Sequence, residues 1–304
     1  MKILLFGKNG QLGWELQRSL APLGELIALD ARSKDGCGGD LTQLAGLAET
    51  VRQLRPDLIV NAAAYTAVDR AESEPELART INALAPGVLA EEAHKLGALM
   101  VHYSTDYVFD GSGERPWREN DTPSPLNVYG RTKLEGEQRV RAATARHLVF
   151  RTSWVYAARG SNFARTMLRL ARERERLTVI ADQFGAPTGA DLLADVTAHA
   201  IRQLQVKPES AGVYHLAAAG ETSWHGYAQW VVECARRAPR AAEIRVKSIE
   251  AIPTQAYPLP ATRPHNSRLD TSLLQATFGL VLPSWQSGVQ RMLAEIDCHF
   301  EAHP

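Results

Sequence analysis

Ile3-Leu4-Leu5-Phe6-Gly7-Lys8-Asn9-Gly10-Gln11-Leu12-Gly13 is the stretch on which the reading of this chain turns. Four apolar residues end on a glycine and a segment of helical period, 12–20, follows, so a buried strand passes directly into a helix. Gly7 permits the tight turn, Gly10 lets the backbone approach a pyrophosphate, and Gly13 allows the helix to pack close to the strand. The helix N-terminus offers unpaired N–H groups to an anion. The spacing is Gly-x-x-Gly-x-x-Gly rather than the Gly-x-Gly-x-x-Gly of dehydrogenases proper. A strand before it and a helix after it nevertheless favour dinucleotide binding over a purely structural turn.

Outward from there the alternation repeats. Residues 26–29, 58–60 and 99–102 read as further buried strands, short, apolar and bounded by Gly, Asp or Asn, and 147–151 adds another. Residues 44–54, 74–95 and 128–142 have the length and spacing of helices laid on that sheet. The fold class is therefore α/β, a Rossmann-type doubly wound parallel sheet. After about residue 155 the pattern loosens into a charged helix at 163–176 and a loop-rich run, Gly185-Ala186-Pro187-Thr188-Gly189. Pro253, Pro258, Pro260 and Pro264 crowd what reads as an ordered loop over a site, and helical period resumes at 273–296. The expected division is a dinucleotide-binding domain over 1–155, to which later segments can return, and a smaller substrate-binding lobe over 156–304. The lobe would close a cleft at the carboxyl ends of the strands.

With 304 residues, 45% of them hydrophobic, the chain can bury a large core without staples. Its 34 basic residues balance 34 acidic ones, so no net positive field gathers nucleic acid or anionic membrane, and neither is expected as a partner. Cys37, Cys234 and Cys298 show no Cys-x-x-Cys spacing and read as reduced thiols. The apolar run at 3–6 is too short for a signal peptide and no later stretch reaches the length of a membrane span, so a cytoplasmic location is expected.

Chemistry gathers at the strand ends. Asp30 ends the second strand, where a carboxylate accepts hydrogen bonds from an adenosine ribose and favours NAD; Arg32 and Lys34 follow at once and would instead suit a 2′-phosphate, leaving NADH and NADPH both open. Asp40-Leu41 lies where a loop can reach the adenine. Asn61-Ala62-Ala63-Ala64-Tyr65-Thr66 brings small residues past the third strand, so backbone there can lie against an extended ligand. The fourth strand runs into Tyr103-Ser104-Thr105-Asp106-Tyr107-Val108-Phe109, and Tyr129-Gly130-Arg131-Thr132-Lys133 follows. Tyrosine and lysine four apart share a helix face, so the ammonium is expected beside the phenol, lowering a pKa of about 10 toward a useful range. Thr105 can hydrogen-bond the same substrate oxygen.

Taken together, these residues resemble the extended short-chain dehydrogenase/reductases and, more narrowly, the dTDP-4-dehydrorhamnose reductases, along nearly the whole chain. Further marks of that resemblance are Ser124-Pro125-Leu126-Asn127-Val128-Tyr129-Gly130, Arg151-Thr152-Ser153-Trp154-Val155-Tyr156, Asp182-Gln183-Phe184-Gly185-Ala186-Pro187-Thr188 and Asn266-Ser267-Arg268-Leu269-Asp270. The resemblance implies reduction of dTDP-4-dehydro-L-rhamnose to dTDP-L-rhamnose by NADPH or NADH, with Tyr129 as proton donor, Lys133 as its partner and ribose anchor, and Thr105 as third member. It implies contacts to the dinucleotide from Gly7, Gly10, Gln11, Leu12, Gly13, Asp30, Asp40, Leu41, Ala64, Tyr65, Thr66, Tyr103, Tyr129 and Lys133. Contacts to substrate are implied for Thr105, Asp106 and Trp154. Some members bind magnesium between two subunits of a homodimer; the matching carboxylates are Glu15, Asp191 and Glu295, of which Asp191 departs from the usual glutamate. Two alternatives share the fold: a non-catalytic dinucleotide-binding relative such as the regulatory subunit of methionine adenosyltransferase, and a nucleotide-sugar epimerase or dehydratase. Retention of Thr105, Tyr129 and Lys133 argues against the first. Dehydratases place Asp-Glu after the threonine, where this chain has Asp106-Tyr107.

Overall fold

The structure, a computed structural model, describes residues 1–32, 37–238 and 243–301, with side chains as far as Ile296. Lys34 and the Cys298 side chain lie outside the described residues. Six parallel strands form the central sheet, in the order Gly212–His215, His147–Thr152, Leu99–Thr105, Leu58–Asn61, Lys2–Phe6, Glu25–Leu29. Along the first strand the side chains alternate. Ile3 and Leu5 enter a core with Leu16, Leu20 and Leu193, while Leu4 and Phe6 enter the opposite one with Leu47, Val51 and Leu89. Helices Gln11–Leu20 and Ala190–Leu204 thus cover one face of the sheet, and Leu44–Leu54, Ala85–Leu96 and Val128–Ala143 the other.

The chain leaves Lys2–Phe6 for a neighbour on one side, Glu25–Leu29, and then crosses to Leu58–Asn61 on the other. That reversal opens a crevice at the carboxyl ends of the strands, and ligands of open α/β sheets bind at such a point. The fourth strand extends to Thr105, beyond the end of its neighbour at Asn61, and so projects Tyr103, Ser104 and Thr105 past the crevice floor.

Three sequence expectations need correction. The helix at 163–176 stops at Glu173, because Arg176–Ile180 is a strand: Leu177 and Val179 are buried between more exposed neighbours, a period of two, and the strand pairs with Ser248–Ile252. The helical stretch at 273–296 is broken at Gly279, φ 63°, into Ser272–Phe278 and Trp285–Glu301. The segment at 74–95 contains a π-turn, Thr80–Leu84, between Pro75–Arg79 and Ala85–Leu96. After residue 155 the chain also returns to the sheet through Ala190–Leu204 and Gly212–His215. A separate core, with Met167, Val179, Tyr227, Val231 and Trp285, holds the remaining later segments together.

The later segments are tied to the sheet beside the crevice. Arg263 forms a bidentate pair with Asp69 at 3.0 and 2.8 Å, and Asn127 Nδ2 donates to Thr262 O at 2.8 Å. The proline-rich run therefore lies as an ordered strap against the entry to the helix that carries Tyr129.

Candidate active site

Gly7 adopts φ 87°, and a Cβ there would stand 2.8 Å from Ala63 N; on Gly13 it would stand 2.0 Å from Gly7 O. Both glycines are thus demanded by close backbone approach. Gly10 differs: a Cβ there would meet only Gly7 O, at 3.4 Å, so its outer side faces open space. It caps Gln11–Leu20 without a side-chain hydrogen bond. A helix N-terminus faced by an unobstructed glycine fits a pyrophosphate. Gln11 Oε1 accepts from Asn162 Nδ2 at 2.9 Å, joining this turn to the second lobe.

At the end of the neighbouring strand, Asp30 accepts from Asn9 Nδ2 at 2.8 Å and from the Arg32 backbone N–H at 2.9 Å. The Arg32 N–H holds its carboxyl below the usual range, so it is ready as a ribose acceptor. Asp40 is engaged by the N–H and hydroxyl of Thr42. The Leu41 side chain is 5% exposed and packed with the core, so only its backbone can face a ligand. On the other side of the turn, Ala64 is half-buried and Thr66 exposed. Tyr65 is held by Asn82 of the π-turn, which accepts from Tyr65 N at 2.9 Å, donates to Tyr65 O at 3.0 Å and reaches Thr132 Oγ1 at 3.2 Å. π-Turns recur at functional sites, and here the turn delivers the buried amide that shapes the crevice wall.

Asn127 starts the helix Val128–Ala143, accepting from Gly130 N at 2.8 Å, and this places Tyr129 in the first turn. The Tyr129 ring packs edge-on against Tyr107 at 5.6 Å. Burial, with the nearby Asp106 charge, pushes the Tyr129 phenol up to about 12, against an opposing Thr105 hydroxyl. The expected depression by Lys133 is corrected here: the ammonium is turned away, donating to Tyr103 O at 2.5 Å and standing 3.4 Å from His102 Nε2. The phenol is therefore held protonated. Burial lowers Lys133 to about 8. Tyr103 takes part through its carbonyl; its hydroxyl points into the core at Thr197 Oγ1, 2.7 Å away.

Thr105 Oγ1 donates to Asp106 Oδ1 at 3.0 Å. Asp106 is 2% exposed, its Oδ2 makes no close hydrogen bond, and burial raises its carboxyl to about 6 against the opposing Ser267 and Thr105 hydroxyls. Trp154 has φ 49°, a left-handed conformation that costs a non-glycine residue about 1–3 kcal/mol and gathers at ligand sites. Its indole stacks on Trp224 at 3.6 Å between centroids. Trp224 in turn lines a cleft of about 620 Å³ with Phe163, Met167, Gln183, Tyr257 and Arg263.

Glu15, Asp191 and Glu295 line one smaller cleft, and the charges of Asp191 and Glu295 reach Glu15, whose carboxyl burial raises. Arg18 stands 3.5 Å from Glu15 and Arg291 3.4 Å from Asp191. Among the described residues no three His, Cys, Asp or Glu side chains stand close enough to hold a metal ion. Magnesium does not fit this donor set within one chain.

Sequence reasoning missed His102, Asn82 and the strap residue Arg263 as parts of the site. His102 carried a signal, a polar residue ending the apolar run 99–102; Asn82 inside a helical pattern carried none.

The chain matches the family model described as RmlD substrate binding domain over residues 1–298. It is 62% identical to a dTDP-4-dehydrorhamnose reductase of Shigella flexneri over 97% of this chain and 98% of the relative. A crystal structure of a dTDP-4-dehydrorhamnose reductase from Clostridium acetobutylicum superposes with TM-score 0.87 at 33% identity, covering 98% of this chain and 100% of the other. Another, from Bacillus anthracis in complex with NADP, gives TM-score 0.85 at 33% identity over 97% and 99%.

Proposed function

This chain belongs to the RmlD substrate binding domain family, and from that membership we infer that it is an NADPH-dependent oxidoreductase reducing dTDP-4-dehydro-L-rhamnose to dTDP-L-rhamnose. The observation that carries the reading is the 62% identity, over 97% of the chain, to a reductase of that substrate, joined to a crevice at the carboxyl ends of the strands where the open glycine turn follows the first strand and Thr105 ends the fourth.

When bound at the turn, the dinucleotide supplies a hydride to C4 of the keto sugar. The residues of the chain do the rest. Gly7, Gly10, Gln11, Leu12 and Gly13 seat the pyrophosphate; Asp30 takes the adenosine ribose, with Asp40, the Leu41 backbone, Ala64, Tyr65, Thr66 and the Tyr103 carbonyl along the walls. NADH suits the site because the Asp30 carboxylate can accept from a ribose hydroxyl, and Arg32 beside it suits NADPH. Tyr129, protonated at neutral pH, donates to the oxygen that becomes an alkoxide. Thr105, on turning its hydroxyl from Asp106 Oδ1, donates to the same oxygen, the buried Asp106 takes a sugar hydroxyl through Oδ2, and Lys133 anchors the nicotinamide ribose. Trp154, fixed by its stack on Trp224, covers an apolar face of the sugar, and the larger cleft takes the nucleotide.

The lobes proposed on this basis are 1–155 with its returning segments, and the remainder of 156–304. A homodimer is the family expectation, and sedimentation at micromolar concentration tests it. No step runs through magnesium: Arg18 and Arg291 already pair with Glu15 and Asp191, two of the three carboxylates a metal would use. No described helix is long and apolar enough to cross a membrane; the cytoplasm is the site of action proposed. The decisive test uses NADPH deuterated at the transferring C4 position. Deuterium must appear at C4 of the product sugar; label in water or at another carbon would replace the reductase reading with an epimerase or a binding protein.

A further inference from the structure

Beneath the catalytic helix lies a buried row of nitrogen groups, of which the reaction as described uses only Lys133. Asn61 and His102 are register partners on adjacent strands, each 1% exposed, and Lys133, 2% exposed, reaches down to them from the helix. Asn61 Nδ2 stands 3.3 Å from His102 Nδ1, and His102 Nε2 stands 3.4 Å from Lys133 Nζ.

The direction of the row follows from its far end. The Ala63 backbone N–H can only donate, and it meets Asn61 Oδ1 at 3.2 Å. The carboxamide is thereby oriented with its NH₂ toward the ring, so Nδ1 must accept. A neutral imidazole has one accepting and one donating nitrogen, hence the ring hydrogen is on Nε2, facing Nζ. An ammonium there would set two donors against each other. An amine would not: its lone pair accepts Nε2–H while its own N–H still donates to Tyr103 O. The ring is neutral, because burial and then the Lys133 charge push it well below the usual histidine value.

We propose that Asn61 and His102 are positioning residues of the reductase site: Asn61 locks His102 in the Nε2–H tautomer, and that tautomer loosens the hold of Lys133 on its third proton. The proposal rests on the placement of Lys133 in that site. The other charged groups around the ammonium leave the argument standing. Glu137, on the same helix, raises the Lys133 pKa, but its carboxylate is already engaged by Arg151 of the adjacent strand at 2.8 Å. Tyr129, one turn earlier, is a neutral phenol. Burial acts in the same sense as the ring and brings Lys133 to about 8.

The test reads the tautomer directly. Full-length protein labelled with ¹⁵N-histidine is titrated by NMR, with the His102 signals assigned by their loss in His102→Gln. A pyridine-type Nδ1 and protonated Nε2 from pH 6 to 9 is the expected result; an Nδ1–H tautomer, or a ring that protonates in that range, overturns the proposal. Asn61→Asp supplies the second arm. Its carboxylate accepts from Nδ1–H, so Nε2 becomes an acceptor for the ammonium, and the alkaline limb of kcat/KM should rise by about one pH unit. A merely structural role would lower activity at every pH and leave the limb in place, which also overturns the proposal. The wild-type tautomer decides the matter even where Asn61→Asp fails to fold. Deuterium transfer to C4 reads the reductase assignment separately, so either can fail alone.

Discussion

Asp106→Asn should make the protein more stable at neutral pH and a worse enzyme. Asp106 is 2% exposed, and burial raises its carboxyl from 3.8 to about 6. At 1.36 kcal/mol per pH unit, that gap means the ionised carboxylate costs the folded state about 3 kcal/mol. The sign follows from the two protonation states. Below about pH 4 the group is protonated in both folded and unfolded chains and costs nothing; as pH rises the unfolded chain ionises first, so stability falls until the folded carboxyl ionises near 6. Asparagine removes that dependence and keeps an oxygen for the Thr105 hydroxyl, which donates at 3.0 Å. Urea unfolding of both proteins at intervals from pH 4 to 8 should therefore show curves that coincide at the acid end and separate by up to about 3 kcal/mol above pH 6, with equal m-values. The same stability difference at pH 4 and pH 7 would refute the reasoning. Steady-state kinetics should show KM for the sugar nucleotide raised more than KM for NADPH, since Asp106 Oδ2 is the acceptor left for a substrate hydroxyl.

Three further outcomes follow from the geometry. Gly13→Ala places a Cβ 2.0 Å from Gly7 O and should destabilise folding by about 1–3 kcal/mol, whereas Gly10→Ala, with 3.4 Å to spare, should fold normally and lose NADPH affinity in calorimetry; equal melting temperatures for the two would contradict the packing described. Tyr129→Phe should lower turnover by roughly 10²–10⁴-fold with NADPH affinity kept, and near-wild-type turnover would remove Tyr129 as the acid. Trp154→Ala should weaken sugar-nucleotide binding by a few kcal/mol at most, about what one buried aromatic contributes, with cofactor binding little changed; a larger loss for NADPH would place the indole on the wrong side of the crevice.

The first half was legible because its inner strands, Lys2–Phe6, Leu58–Asn61 and Leu99–Thr105, are buried on both faces and so read as largely apolar runs. Gly212–His215, by contrast, is an edge strand whose Gly-Val-Tyr-His resembles no such run, and it joins the sheet only because the helix before it, Ala190–Leu204, packs on Gln11–Leu20. Arg176–Ile180 does not read as a strand because its two buried residues, Leu177 and Val179, are too few to show their period among polar neighbours. The strap is illegible for a different reason. Asp69 and Arg263 are 194 residues apart, and nothing local announces that one will meet the other.

At the site, a sequence interval specifies which residues share a helix face but not where a long side chain ends. Tyr129 and Lys133 are indeed one turn apart, yet lysine has four carbons of reach, and its ammonium goes where acceptors are buried. The nearest is the Tyr103 carbonyl on the strand below, with the His102 ring beside it. That choice inverts the expected electrostatics. With the cation drawn down, burial dominates at the phenol and keeps its proton on, which is the state an acid for ketone reduction must have before hydride arrives. The pairing of Lys133 with the strand arises from a buried histidine in the middle of Leu99–Thr105, a polar residue that the hydrophobic pattern could not explain.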